Sequence, residues 1–373
     1  MWCQAWHIVP SSNPGNIFND LSGVSATSVN DVWAVGFSDS SGALNTPLVE
    51  HWNGSTWTAT TAAVVAQHNT ALSAVDALAS NDVWAVGNSL SGNDVSSTVV
   101  EHFNGSLWTI IPSPNVSGLN NNLVAITALS GTDIWAVGST TNQTTFTTQT
   151  LTMHWDGSLW TIVPSPNVGT GNNDLNAVAA LSSTDVWAVG SDGVAGSGSL
   201  TLHWDGMSWT VVPTPPTSST LTETLNGVAA FASNDVWAVG LTTPGPSTVS
   251  TLALHWNGTS WNVVPTPNPQ NYAQLIAVTT VPGTHQLWAI GNQTSGQYPN
   301  PGPTTTLVEH WTGSAWVVVP SADTPQPNTD TIHAITALNA RDIWAVGYTT
   351  PLSGPTTTLI EQDGGLQLGL LCP

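Results

Sequence analysis

Seven near-copies of Asp-Val-Trp-Ala-Val-Gly, four strand-like segments in each copy, and an Asn-Gly or Asp-Gly pair at one recurring link predict an all-β chain. The fold they point to is a seven-bladed β-propeller of four-stranded antiparallel blades. The repeated tryptophans are Trp33, Trp84, Trp135, Trp187, Trp237, Trp288 and Trp344, at spacings of 51, 51, 52, 50, 51 and 56 residues. That period fills the 373 residues, so 1–373 reads as one domain of seven repeats rather than the two or three domains its length suggests.

Each repeat has the same four segments. The first is a small apolar run, as in Leu175-Asn176-Ala177-Val178-Ala179-Ala180, suited to a crowded centre. The second is Asp185-Val186-Trp187-Ala188-Val189-Gly190 and its equivalents. The third is Leu200-Thr201-Leu202-His203-Trp204, and the fourth Ser208-Trp209-Thr210-Val211-Val212-Pro213. All are short and rich in β-branched or aromatic residues, and none carries a helical stripe. The third and fourth segments meet at Asn53-Gly54, Asn104-Gly105, Asp156-Gly157, Asp205-Gly206, Asn257-Gly258 and, more loosely, Thr312-Gly313. Such pairs accept the positive φ of a tight hairpin. The first and second segments meet at Ser80-Asn81-Asp82 or Ser183-Thr184-Asp185, where the Asp is expected to accept backbone hydrogen bonds within the turn.

The last repeat lacks its fourth segment, because Gln367 stands where the Trp should be. The missing piece is at the other end: Trp6-His7-Ile8-Val9-Pro10 matches Trp160-Thr161-Ile162-Val163-Pro164. Residues 1–12 should therefore supply the outer strand of the last blade and close the ring, leaving 365–373 as a tail. Such a clasp brings Cys3 toward Cys372, and a disulfide between them would stabilise by about 4–5 kcal/mol in the chain-entropy model; the alternative is two free thiols. A rival closure uses 366–371 as the fourth strand and sends the N-terminal strand into a neighbouring molecule, building a filament.

Composition removes several functions. One Lys or Arg against 22 acids gives a formal charge of −21, which excludes nucleic-acid binding by counterion release and attraction to anionic membranes. Arg341 alone cannot grip an acidic glycan. No apolar run is long enough to cross a membrane as a helix. The N-terminus has no signal-peptide pattern, yet sparse Lys, abundant Ser and Thr and only two Cys read as a mature or trimmed extracellular chain.

The hairpins Gly54-Ser55-Thr56-Trp57, Gly105-Ser106-Leu107-Trp108, Gly157-Ser158-Leu159-Trp160, Gly206-Met207-Ser208-Trp209, Gly258-Thr259-Ser260-Trp261 and Gly313-Ser314-Ala315-Trp316, following a Trp-Ala-Val-Gly strand, resemble two related groups. These are the Asp-box (bacterial neuraminidase repeat) propellers and the photosystem II assembly-factor-like propellers. The resemblance runs the length of the chain. It implies the fold and no particular activity, and Asp156 and Asp205 sit one residue before the Gly rather than the two of an Asp-box.

Six of the ten histidines, His51, His102, His154, His203, His255 and His310, share one repeat position, so they lie on a ring and cannot converge on one metal. No cofactor is expected. All tryptophans but Trp2 follow the repeat and read as core, with Trp52 and Trp155 as exposed candidates for stacking on sugar. Glu50, Glu101, Glu309 and Glu361 share a strand slot and read as structural. Among the irregular acids, Asp20, Asp174 and Glu223 fall just before a first strand, on one face, but no spacing selects a catalytic pair. Sequons occur at Asn53, Asn104, Asn115, Asn142, Asn257 and Asn292; Asn142 and Asn292, assigned to variable loops, are the stronger glycosylation candidates. The variable connections gather on one face, where binding usually sits. The expectation is a non-catalytic extracellular or cell-surface module, structural or interacting. It would assemble with copies of itself or surface proteins, or bind neutral glycans as a lectin does; a glycoside hydrolase is the weakest alternative.

Overall fold

A computed structural model describes residues 6–364 except 43, 66–67, 93–94, 194–197, 216–221, 246–247 and 296–301. Cys3, Cys372 and Trp2 lie outside the described residues, and so does the disulfide expected between the two cysteines. The first blade consists of Phe18–Ser28, Asp31–Asp39, Thr46–Trp52 and Trp57–Thr60, hydrogen-bonded in that order and antiparallel throughout. Five more four-stranded blades follow over 69–110, 120–163, 174–211, 223–263 and 272–319. A single parallel bridge, Val249 to Tyr272, links the fifth and sixth.

The seventh blade is made from both ends of the chain. Thr329–Asn339, Asp342–Thr350 and Thr357–Asp363 are its inner three strands, and Trp6–Ile8 pairs antiparallel with the last of these. Trp6 faces Asp363, as Trp57 faces Trp52 in the first blade, and Val9 N–H continues the ladder to the Ile360 carbonyl at 2.8 Å. Within the single chain the N-terminal strand thus completes its own ring, while 366–371, the segment of the rival closure, lie outside the described residues. Innermost strands touch their neighbours all the way round, with that of the seventh blade returning to that of the first.

A blade buries its two faces only against the blades beside it, and the apolar core accordingly divides into seven inter-blade layers. One layer joins Val9, Trp344, Val346 and Ile360 of the seventh blade to Leu21, Val24, Val32 and Trp57 of the first. The recurring Gly of the second strand has a steric cause. Every first strand carries a bulge, as between Leu21 and Gly23 or Leu175 and Ala177, which pushes a carbonyl over that glycine. A Cβ on Gly36 would lie 2.0 Å from the Asp20 oxygen, and one on Gly190 1.8 Å from the Asp174 oxygen. The hairpin glycine is needed for a different reason: Gly54 and Gly157 both have φ of +93°. Asn53 and Asp156 cap these turns through the N–H groups two and three residues on. The Ser158 hydroxyl, with those N–H groups, holds the Asp156 carboxyl down to about 2.

Because the blades are up-and-down meanders, the short hairpins all lie at one end of the ring and the variable connections at the other. Trp6 is 6% exposed and fixes the closing strand. Trp6→Ala should cost about 3–5 kcal/mol in chemical unfolding and convert the seventh blade into the first region to exchange amide hydrogens.

Candidate functional site

The strongest repeated constellation is a carboxylate shared by two ring N–H groups. In the first blade Asp31 Oδ1 lies 2.7 Å from His51 Nε2 and accepts the Trp33 indole N–H at 3.1 Å. Equivalent pairs are His102–Asp82 at 2.8 Å, His154–Asp133 at 2.8 Å, His203–Asp185 at 2.9 Å and His255–Asp235 at 2.8 Å. Residues on neighbouring strands impose this geometry: Trp33 faces His51 in the ladder, and their rings stack at 4.2 Å. The Asp side chain therefore reaches sideways to these rings, and not, as the turn sequence implied, to the backbone of its own turn. The Trp N–H joins the Asp in four of these five blades, whereas Trp135 Nε1 in the third is buried without a partner. Copies of one arrangement spread round a ring cannot make one catalytic centre.

The two departures are informative. In the seventh blade Gln362 replaces His and donates to Asp342 Oδ1 at 3.0 Å, so the bond survives. In the sixth, Gln286 stands in the Asp position and His310 keeps the ring. His310 Nε2 is buried without a partner, and burial holds the imidazole below its ordinary pKa and so neutral.

The shared glutamates are all fully buried. Three of them accept a backbone N–H from the connection leaving the preceding blade. Ser12 N–H reaches Glu50 at 3.1 Å, Ala63 N–H reaches Glu101 at 3.0 Å and Ala322 N–H reaches Glu361 at 3.4 Å. The donor is always the sixth residue after the outer-strand Trp. In three other connections that residue is Pro114, Pro166 or Pro215, which has no N–H, and the facing slots hold Met153, Leu202 and Leu254. The sixth blade breaks the correlation: Pro267 faces Glu309, and both Glu309 oxygens are unpartnered. Burial pushes Glu50, Glu101 and Glu361 up to about 7, and Glu309, with no donor, up to about 8.

The irregular acids do not assemble into a site. Asp20, Asp174 and Glu223 lie within first strands of the first, fourth and fifth blades rather than before them. Asp20 sits 3.6 Å from His333, Asp174 accepts the Thr148 hydroxyl at 2.9 Å, and Glu223 accepts that of Ser199 at 3.1 Å. Asp76, pushed up to about 6 by burial, accepts the Ala128 N–H at 2.8 Å and the Ser25 hydroxyl, tying three blades together. Among the described residues no group of three or more His, Cys, Asp or Glu is arranged to hold a metal.

Trp52 and Trp155 are half-buried rather than free. Trp52 packs on Trp344 of the preceding blade at 5.2 Å and donates to the Val29 carbonyl at 3.2 Å; Trp155 packs on Trp84 at 5.2 Å and donates to that of Gly131 at 3.1 Å. Their rings are inter-blade wedges, which corrects the expectation of open sugar platforms. Asn292 is in the strand Leu287–Thr294, not a loop; it is 4% exposed and bonds both the N–H and the carbonyl of Ile332. Asn115 is likewise engaged, accepting the Thr98 N–H at 2.8 Å. Asn142 lies in a connection between strands, and Asn53, Asn104 and Asn257 at exposed hairpins.

At the variable end, between the first and second blades, a hollow of about 470 Å³ is lined by Asp39, Gly42, Asn45, Asn69, Ala71, Asn88 and Leu90. Asn69 Oδ1 accepts the Asn45 N–H at 2.8 Å and Asn88 donates to the Ser96 hydroxyl at 3.1 Å, so the carboxamides are held in place. The hollow escaped the sequence because its residues come from variable positions of two repeats.

No protein-family model matches the chain, and no curated protein does. Solved structures resemble it in fold. Ycf48, a photosystem II assembly factor solved bound to a D1 peptide, is 14% identical with a TM-score of 0.57, over 97% of this chain and 98% of that one. The phage phi92 endosialidase is 9% identical with a TM-score of 0.55, over 100% and 70%. The Xanthomonas campestris GH74 xyloglucanase is 12% identical with a TM-score of 0.57, over 92% and 53%. These proteins include enzymes and a non-enzyme, so the fold they share selects no activity.

Two predictions follow from the buried carboxyls. Asp185→Ala leaves the Trp187 and His203 N–H groups unpaired and should cost about 2–4 kcal/mol in urea unfolding. Glu309→Leu restores the pairing of proline with an apolar side chain and should stabilise by about 1–2 kcal/mol at neutral pH. Folded Glu309 keeps its proton up to about pH 8, whereas the unfolded residue loses it near 4.5. Its contribution is therefore fully present below 4.5 and is lost as pH rises to about 8. The advantage of Glu309→Leu in melting temperature should grow from pH 5 to pH 8.

Proposed function

We propose that this protein is a non-catalytic binding module of the extracellular space or a cell surface, and that its variable end holds an uncharged, hydroxyl-rich partner, a neutral glycan above all. The observation that carries this reading is the fixed carboxamide hollow between the first two blades. A carboxamide donates and accepts at once, which matches a sugar hydroxyl, and only Asp39 in that lining bears a charge. Burial of the other acids supports the same reading: twelve are buried, including all five glutamates. A carboxyl buried between blades, out of reach of solvent and substrate, is unsuited to paired acid–base work. Self-assembly by strand exchange would require Trp6–Ile8 to leave the sheet it completes.

A glycan array read beside light scattering tests the proposal. A particle of one chain's mass should bind neutral but not sialylated or sulfated glycans, and Asn88→Ala should weaken binding at least about tenfold. Filaments, absence of any glycan binding, or release of sugar from the array would each overturn it.

A further inference from the structure

At the hairpin end of the ring, opposite the hollow just described, the inter-blade slots are not all alike. In five blades a Trp follows the shared His: Trp52, Trp155, Trp204, Trp256 and Trp311. In the seventh blade, where Gln362 replaces the His, that residue is Asp363, and in the second blade it is the apolar Phe103. The slot between the seventh and first blades, walled by Trp52, has a volume of about 310 Å³ and is lined by Val9, Pro10, Ser55 and Trp57 among others. The slot between the first and second blades, where Phe103 stands, has about 560 Å³ and extends inward to Asp31, Trp33 and His51.

The substitution also removes a donor. Trp52, Trp155, Trp204 and Trp256 each give their indole N–H to a carbonyl two residues before the blade's Asp: Val29 at 3.2 Å, and Gly131, Ser183 and Ser233 at 3.1 Å. The equivalent carbonyl in the second blade belongs to Ser80, and Ser80 lines the enlarged slot. Phe103 has no N–H to offer it. The aromatic and apolar part of the lining comes from Trp33, Phe103, Leu107 and Trp108, and Ser80 belongs to the same lining.

From this geometry we infer that the slot between the first two blades is a binding site for an indole ring, which fills the missing part of the repeat and gives its N–H to the Ser80 carbonyl. The ring stacks among Phe103 and its neighbours as the intrinsic indoles do elsewhere. The source is either a free indole compound or a tryptophan side chain presented by another polypeptide; the chemistry is common to both.

Calorimetric titration of the whole chain with indole, N-acetyl-tryptophanamide and N-acetyl-phenylalaninamide tests this. Indole should bind at one site per chain. Tight binding of the tryptophanamide would identify a polypeptide source, and its exclusion a free one. The phenylalanine analogue should bind roughly fivefold more weakly for lack of the N–H. Phe103→Trp, which recreates the wall of the other blades, should abolish binding while melting no lower than the parent. Leu107→Glu, at a rim position 53% exposed, should weaken binding without disturbing the core and serves if the first variant does not fold. No saturable indole binding, or binding unchanged in both variants, would overturn the inference. Glycan binding at the opposite end is untouched by either substitution, so the two readings fail separately.

Discussion

Everything in this ring depends on the second-strand indole wedged between blades. Trp187 shows the pattern: His203 of its own blade lies on it at 4.5 Å, while Trp256 and Trp261 of the next blade close in at 5.2 and 5.5 Å. Sheets that splay outward from an axis leave a widening gap, and small innermost residues with large outer aromatics fill that taper. The Asp that accepts both ring N–H groups fixes the orientation of the wedge. Without that hydrogen bond the His and Trp rings would be buried with unmet donors, so the polar and apolar contributions act together.

The architecture was legible because it repeats. Period, strand number, hairpin turns and the origin of the last strand are each written several times, and an error in one copy is corrected by the others. The turn Asp was misread for a physical reason: its local sequence fits an intra-turn bond, but the competing partners come from two other strands. Asn292 looked like loop because it departs from the repeat; in fact it departs because it spans two blades. The carboxamide hollow and the Phe103 slot were invisible for the complementary reason. Each depends on what two neighbouring blades place opposite one another. The pairing of proline with an apolar slot, by contrast, can be read from the residues once the contact is known.

The same contacts change the meaning of the formal charge. Glutamates that sit in the core near or above neutrality are poor carriers of charge, and several aspartates are buried against their own histidines. The exterior is therefore far less anionic than the count of acids implies, and hydroxyl and carboxamide groups keep it wet. The molecule has two chemically distinct arcs, one tied by carboxyls in the seventh, first and second blades, the other with apolar side chains in the same slot in the third, fourth and fifth, and the unpaired Glu309 of the sixth stands between them.

The closing strand carries a consequence for how such a chain changes over generations. Since Trp6–Ile8 belongs to the last sheet, the boundary of the sequence repeat falls one strand away from the boundary of the blade. Duplication or loss of a whole 51-residue unit would always leave three strands at one end and one at the other. A ring of six or eight could still be fastened in the same way. The clasp is therefore indifferent to the number of blades it closes.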